Sequence, residues 1–323
     1  MDNSSIIVSA TPHVRSKDTI SSVMRDVLIA LTPATLMGIY FFGLRALLVV
    51  AVSVASSVFF EYLYQKITKK KITISDLSAA VTGLLLALNM PASAPLWMPI
   101  VGSAFAIIIA KQLFGGLGQN FINPALAARA FLLGSYPAAM TAWTTPSGFT
   151  GEAVSTATPL AMLKAGGDTV AELPPLTDAI IGNIGGCIGE TCAIALILGG
   201  IYLLYKKVIS WRIPVTYIAT VFVLTALISR DGIKMPVYEL FAGGLMLGAF
   251  FMATDYASSP VTPIGQIIMG VGCGILTALI RIFGAYPEGV SYSILIMNLA
   301  VPLIDRYTKP KIFGALPKEA KKA

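Results

Sequence analysis

Residues 45–71 read RALLVVAVSVASSVFFEYLYQKITKKK. The run from 45 to 65 is apolar for about twenty residues, the length a helix needs to cross a hydrocarbon layer of about 30 Å. It is closed by Lys66, Lys69, Lys70 and Lys71. Basic residues collect on the cytoplasmic side of membrane helices, so the loop after this run is placed in the cytoplasm. Working outward, nine more apolar runs appear, at about 26–43, 77–90, 96–113, 121–134, 179–205, 213–229, 237–253, 264–282 and 290–304. Alternation across ten spans puts both termini in the cytoplasm and assigns 17 of the 23 Lys and Arg residues to that side. The segment 135–178 falls outside, with Lys164 against Glu152, Asp168, Glu172 and Asp178.

Composition agrees. Hydrophobic residues make up 56% of the 323 and charged residues 12%, with a mean hydropathy of +0.79. Soluble domains are about half apolar and a quarter charged. A typical soluble domain, a disordered chain and a collagen-like repeat are all excluded. The fold class expected is all-α, a polytopic membrane protein. The net charge of +7 is explained by topology and gives no reason to expect nucleic acid. Residues 1–25 lack the apolar core and cleavage site of a signal peptide and read as a cytoplasmic arm; residues 305–323 read as a basic cytoplasmic tail.

The spans divide into five before the external segment, within 26–134, and five after it, within 179–304. The halves rhyme: Thr82-Gly83-Leu84-Leu85-Leu86 with Gly243-Gly244-Leu245-Met246-Leu247, and Phe114-Gly115 with Phe283-Gly284. The third and fifth spans of each half are short. A unit with an odd number of spans must enter the membrane from opposite sides, so the expectation is two inverted five-helix repeats, with a site near the midplane between them. Channels and carriers for small solutes share this architecture, so it does not name a function.

The external segment is longer than a plain connector, and such segments are usually functional. It contains Ser155-Thr156-Ala157-Thr158, which matches S/T-x-A-T, the core of the site at which a flavin transferase links FMN to a threonine through a phosphoester. Ser and Thr directly before a proline also suit a helix cap, with Pro159 in the first turn. Free N–H groups at such a helix start could hold a phosphate, which serves either reading.

Four charged residues stand out within or beside apolar runs. Arg129 lies inside a short span, where a charge needs a partner or must reach a headgroup region. Asn123-Pro124, two turns earlier, is placed to break the helix and free backbone groups for a polar site. Glu190, in Gly185-Gly186-Cys187-Ile188-Gly189-Glu190-Thr191-Cys192, makes either a hydrogen bond between helices or part of an ion path. Asp255, in Ala253-Thr254-Asp255-Tyr256, either caps helices or lies on such a path, whereas Glu239 reads as interfacial. Cys187, Cys192 and Cys273 lie in apolar runs and read as small buried residues without metal spacing. His13 is the only histidine and sits on the arm. No dinucleotide or P-loop motif is present.

At this point the sequence resembles a known family. The ten spans, the long segment after the fifth, residues Glu152 to Leu160, and Phe121-Ile122-Asn123-Pro124-Ala125-Leu126-Ala127-Ala128-Arg129-Ala130 are together similar to the D subunit of the Rnf electron transport complex. More distantly, they are similar to the B subunit of the sodium-pumping NADH:quinone oxidoreductase. The likeness covers residues from about 20 to 307. It implies covalent FMN on Thr158, flanked by Ser155 and Thr156, outside the membrane. It also implies a flavin or acidic partner for Arg129, a polar site at Asn123, and a second, noncovalent flavin (riboflavin or FMN) bordering Glu190. Glu190 and Asp255 become candidates for a Na⁺ or H⁺ path. The partners implied are the A, B, C, E and G subunits of the Rnf complex, the flavin transferase and membrane lipid, in the cytoplasmic membrane. The family's attachment motif carries Asp where this chain has Glu152. The rival reading is a small-solute channel or carrier without cofactor.

Overall fold

The computed structural model describes residues 18–146, 148, 154–165, 173–228, 234–284 and 286–310. His13, Glu152, Asp168, Glu172 and the tail from 311 onward lie outside them. The described residues are helical. No strand forms among them beyond two isolated bridges, Pro91 with Cys187 and Thr144 with Ser155.

Helix α1 runs Ile20–Ile67 and contains both of the first two expected spans. It starts before residue 26 because Thr19 and Ser22 form a capping box, so the last residues of the expected arm are helical. Within it Gly43 has φ 66°, a conformation open chiefly to glycine. There the chain turns back on itself: Ser21 Oγ donates to Ser75 O at 3.1 Å, bringing the start of α1 beside the residues that follow its end. Further helices are α2 (Ser78–Leu88), α3 (Trp97–Ala104, continuing as a π-helix over Phe105–Gln112) and α4 (Pro124–Ser135). The short α5 (Pro137–Met140), α6 (Pro159–Ala165) and α7 (Leu176–Ile181) follow. Then come α8 (Ala193–Tyr205), α9 (Arg212–Ile228), α10 (Lys234–Phe241) and α11 (Leu245–Leu247, continuing as a π-helix over Gly248–Met252). The last are α12 (Pro263–Phe283) and α13 (Val290–Thr308).

Two expected spans are interrupted, 237–253 at residues 242–244 between α10 and α11, and 179–205. Residues 179–205 hold α7, an irregular stretch and only then α8, and α2 ends in a second irregular stretch from Asn89 to Leu96. Buried backbone without helical bonds must find other partners. These two stretches find each other: Ile188 N donates to Met90 O at 3.0 Å and Gly189 N to Leu88 O at 2.9 Å. Of the rhyming stretches, Thr82–Leu86 is buried throughout and Gly243–Leu247 from Gly244 onward.

The outer surface is apolar, with Leu36, Leu198, Leu227, Phe283 and Leu299 exposed, the surface a lipid environment requires. Inside, small residues let helices approach closely. Gly199 of α8 lies against the Ala30 carbonyl of α1, and a Cβ there would collide with backbone. We expect Gly199→Val to lower the thermal midpoint of the detergent-solubilised protein, an overpacking cost of about 1–3 kcal/mol. Gly134→Ala, on α4 with nothing within 4 Å of the added carbon, should leave it unchanged.

A buried charge cluster beside Thr158

Helix α4 begins where Asn123 caps it. Asn123 Oδ1 accepts from Ala125 N at 3.0 Å and Leu126 N at 3.3 Å, and Pro124 needs no donor partner. The expected break at Asn123-Pro124 is therefore a helix start. Its amide nitrogen donates to Met252 O at 3.3 Å, joining the two halves of the sequence.

Less than two turns along α4, Arg129 is 5% exposed and does not reach out to the surface. It turns inward because three other segments supply partners. Nη1 donates to Asn89 Oδ1 at 2.7 Å and to Glu190 Oε1 at 2.9 Å. Nη2 pairs with Glu288 Oε2 and lies 3.6 Å from Cys187 Sγ. One guanidinium thus ties α4 to both irregular stretches and to the loop between α12 and α13. The fork of five donors suits this; a point charge would not. Two carboxyl groups share one guanidinium, and Glu190 Oε2 has no hydrogen-bond partner. Cys187 Sγ donates to Asn89 O at 3.3 Å, so the thiol serves the same junction.

Thr158 stands next to this cluster. It is 5% exposed, and its hydroxyl accepts from Ala161 N at 3.2 Å, so it does cap α6. It lines a narrow pocket with Gly185, Gly186, Glu190, Thr191, Gly243 and Glu288. Ser155 is exposed in the bridge to Thr144, and the Thr156 methyl covers Gly185. Around the pocket Thr191 Oγ1 and Arg281 Nη2 are buried without partners. Arg281 also donates to Glu239 O at 2.8 Å, and the half-buried Glu239 carboxylate is 4.0 Å away. Glu288 lines a second cavity as well, walled by Met140, Trp143, Tyr286, Tyr292 and Arg129.

Asp255 and Asn123 lie apart from the cluster, on a larger cavity of about 90 Å³ between α1, α2, α4, α8 and the π-helical segment before Asp255. Ser258 Oγ donates to the Asp255 carboxylate at 2.8 Å. Burial pushes that carboxyl above its ordinary range, while the Ser258 and Ala257 hydrogen bonds pull it back. The same cavity is lined by Lys111, one of the 17 bases assigned to the cytoplasmic side. It is 2% exposed and paired with Glu61 at 2.9 Å. The positive-inside count cannot tell a free lysine from one with a buried partner.

Sequence reasoning missed Asn89, Glu288, Glu61 and this role of Lys111. Asn89 had a signal: an amide side chain in an apolar run, two residues before Pro91, marks a broken span. Glu288 had none, since Pro287-Glu288-Gly289 reads as an ordinary turn.

The fold and the charge cluster define a polytopic helical membrane protein with an interrupted, polar centre. The chain belongs to the NQR2, RnfD, RnfE family, whose model matches residues 7–314. It is 54% identical to the D subunit of the Na⁺-translocating ferredoxin:NAD⁺ oxidoreductase complex of Acetobacterium woodii, over 99% of this chain and 100% of that one. It is 48% identical to the D subunit of the proton-translocating ferredoxin:NAD⁺ oxidoreductase complex of Clostridium ljungdahlii, over 95% and 96%. To the D subunit of the ion-translocating oxidoreductase complex of Aliivibrio salmonicida it is 36% identical, over 95% and 98%.

Proposed function

We propose that this chain is the membrane-embedded D subunit of an Rnf-type ferredoxin:NAD oxidoreductase, carries FMN as a phosphoester on Thr158, and takes part in coupling electron transfer to movement of Na⁺ or H⁺. The observation that carries the reading is the placement of Thr158: the threonine of the attachment motif borders a buried cluster of charged and unpartnered polar groups, in a chain whose full-length relatives are named as the D subunit of such complexes. We place it in the cytoplasmic membrane with both termini inside, as two inverted repeats, beside the other subunits of the complex.

The residues around Thr158 fit a flavin phosphate. Arg281 Nη2 and the Thr191 hydroxyl are buried donors without partners, and Gly186 leaves open space at the pocket edge, while Thr156 and Leu160 close over Gly185 and Gly243. The aromatic cavity that shares Glu288 offers Trp143, Tyr286 and Tyr292 as walls for a flat ring. When bound, FMN supplies one- and two-electron redox chemistry. The protein's part is to hold the phosphate, exclude water through Leu160 and Ile184, and set the local charge with Arg129, Glu190 and Glu288. The second, noncovalent flavin is better accommodated by the larger cavity edged by Asn120 and Asn123 than beside Glu190, where the pocket is narrow.

The test is a denaturing gel of the complex made together with its flavin transferase. The band of this chain should fluoresce under ultraviolet light, and Thr158→Val should remove all of that fluorescence while the chain stays in the complex. A dark parent band would leave the cofactor-free carrier as the better reading. Acid precipitation of the parent should also release free flavin, and Asn120→Leu should reduce the amount severalfold.

A further inference from the structure

Thr158 is 5% exposed, and the pocket it lines leaves about 10 Å³, room for about one water molecule. FMN is far larger. Bond formation at the threonine also requires a free lone pair on its hydroxyl oxygen and an approach in line with the bond that breaks. That oxygen already accepts from Ala161 N at 3.2 Å. The polar groups at the base of the pocket suit a phosphate, and the seating of α6 above them shuts it out. Attachment from outside the chain therefore requires α6 to move first.

The chain on either side of Ala157 is held in two different ways. Before it, Thr145 N donates to Val154 O at 2.9 Å and Thr156 N to Trp143 O at 3.1 Å, so residues 154–156 are paired to a neighbouring stretch of backbone. Beyond it, Pro159 and Leu160 are the two side chains that α6 buries. Leu160 packs with Ala179, Ile184, Tyr238 and Ala242 in a small apolar cluster separate from the main core. It reaches this seat because Gly243 has no side chain: a Cβ there would lie 2.6 Å from Leu160. At the end of α6 the exposed Lys164 donates to Gly284 O, the residue that closes α12, where a cation meets the negative end of a helix dipole. A segment seated by so few buried groups opens locally long before the whole fold does.

We propose that residues 157–165 form a strap hinged at the paired stretch 154–156, that FMN is attached only while the strap is lifted, and that Leu160 and Lys164 set how often it lifts. Lifting frees the Thr158 hydroxyl from the Ala161 amide and uncovers the pocket floor at Gly186, Thr191 and Glu190. The hydroxyl oxygen then bonds to the flavin-side phosphorus of a flavin dinucleotide. The phosphoanhydride bond breaks, the nucleoside monophosphate leaves, and the hydroxyl proton passes to a base on the transferase, with no change of oxidation state. The inference rests on the covalent flavin reading above and adds the order of events: a chain that folds and closes before it meets the transferase is a poor substrate.

The test starts from complex assembled without the transferase, purified in detergent and then given transferase and FAD. In-gel fluorescence follows attachment, and amide hydrogen exchange in the peptide holding residues 157–165, measured before the additions, follows opening. The parent should take up flavin slowly, at a rate that levels off as transferase is raised, because opening limits it. Leu160→Ala should speed exchange and uptake together by about tenfold or more, since it removes the side chain that seats α6. Lys164→Met should speed both severalfold, and because that lysine is exposed it carries the comparison if Leu160→Ala fails to assemble. Variants that exchange faster but take up flavin at the parent's rate, or a parent that takes it up as fast as the variants, would overturn the strap. A parent that stays dark even when made together with the transferase fails the attachment reading itself, a separate result.

Discussion

Arg129→Met will remove most of the chain from its assembled complex and lower the thermal midpoint of what remains. The methionine fills similar volume, so packing around α4 changes little, and the effect reports charge. Two carboxylates, Glu190 and Glu288, would face each other with no counterion, and Asn89 Oδ1 would lose its donor. Breaking a buried pair by deleting one partner costs about 3–5 kcal/mol, because the surviving charge cannot be solvated. That is a large share of the roughly 5–15 kcal/mol by which typical domains are stable. Arg129→Lys should recover only part of the loss, since an ammonium can neutralise one carboxylate but cannot reach Asn89, Glu190 and Glu288 together. The triple variant Arg129→Met, Glu190→Gln, Glu288→Gln should assemble better than Arg129→Met alone. Yield of complex by size exclusion and thermal unfolding in detergent measure both effects; equal yields for Arg129→Met and the parent would mean the cluster is not what joins the four segments.

Much of this architecture was legible because hydrophobic run length is a strong signal in a membrane protein. The long α1, α9, α12 and α13 follow their apolar runs closely, and the caps at Thr19, Asn123 and Thr262 follow from residue type. The sequence also marked Arg129, Glu190 and Thr158 separately, by a charge in an apolar run and by a short motif. It could not bring them together. Arg129 is 61 residues from Glu190 and 159 from Glu288, and nothing local encodes such pairings. The interruption at 182–192 was hidden for a related reason: its residues are apolar and small, so hydropathy reads it as helix, while its backbone bonds go to Leu88 and Met90. Glu61 and Lys111 were hidden by position. Each lies near the end of an apolar run, where a charge is ordinary, and only the packing of the π-helical segment against α1 buries them as a pair.

Asn123→Ala will have the second largest effect, and it separates two contributions that one side chain combines. As a cap, Asn123 accepts from two amides at the start of α4, worth about 0.5–2 kcal/mol. As a buried donor it reaches Met252 O, and losing a buried hydrogen-bond partner costs about 1–3 kcal/mol. Its backbone N–H meets the amide oxygen of Asn298 at 3.0 Å, with the Asn298 nitrogen donating to Ser258 O at 3.0 Å and Ile294 O at 3.1 Å. The alanine variant keeps the backbone bond to Asn298, so its expected loss is about 1.5–5 kcal/mol rather than collapse. Asn123→Ser tests the division: a serine hydroxyl can still cap α4 but is too short to hold Met252, so it should recover the capping share only. Because Met252 precedes Asp255 by three residues and both segments wall the cavity that Asn123 lines, the serine variant should also bind less of the noncovalent flavin proposed for that cavity than its stability alone would predict. Thermal unfolding of the purified complex, set beside flavin released by acid, gives both readouts; a serine variant as stable as the parent and equally loaded would show that Met252 is positioned without Asn123.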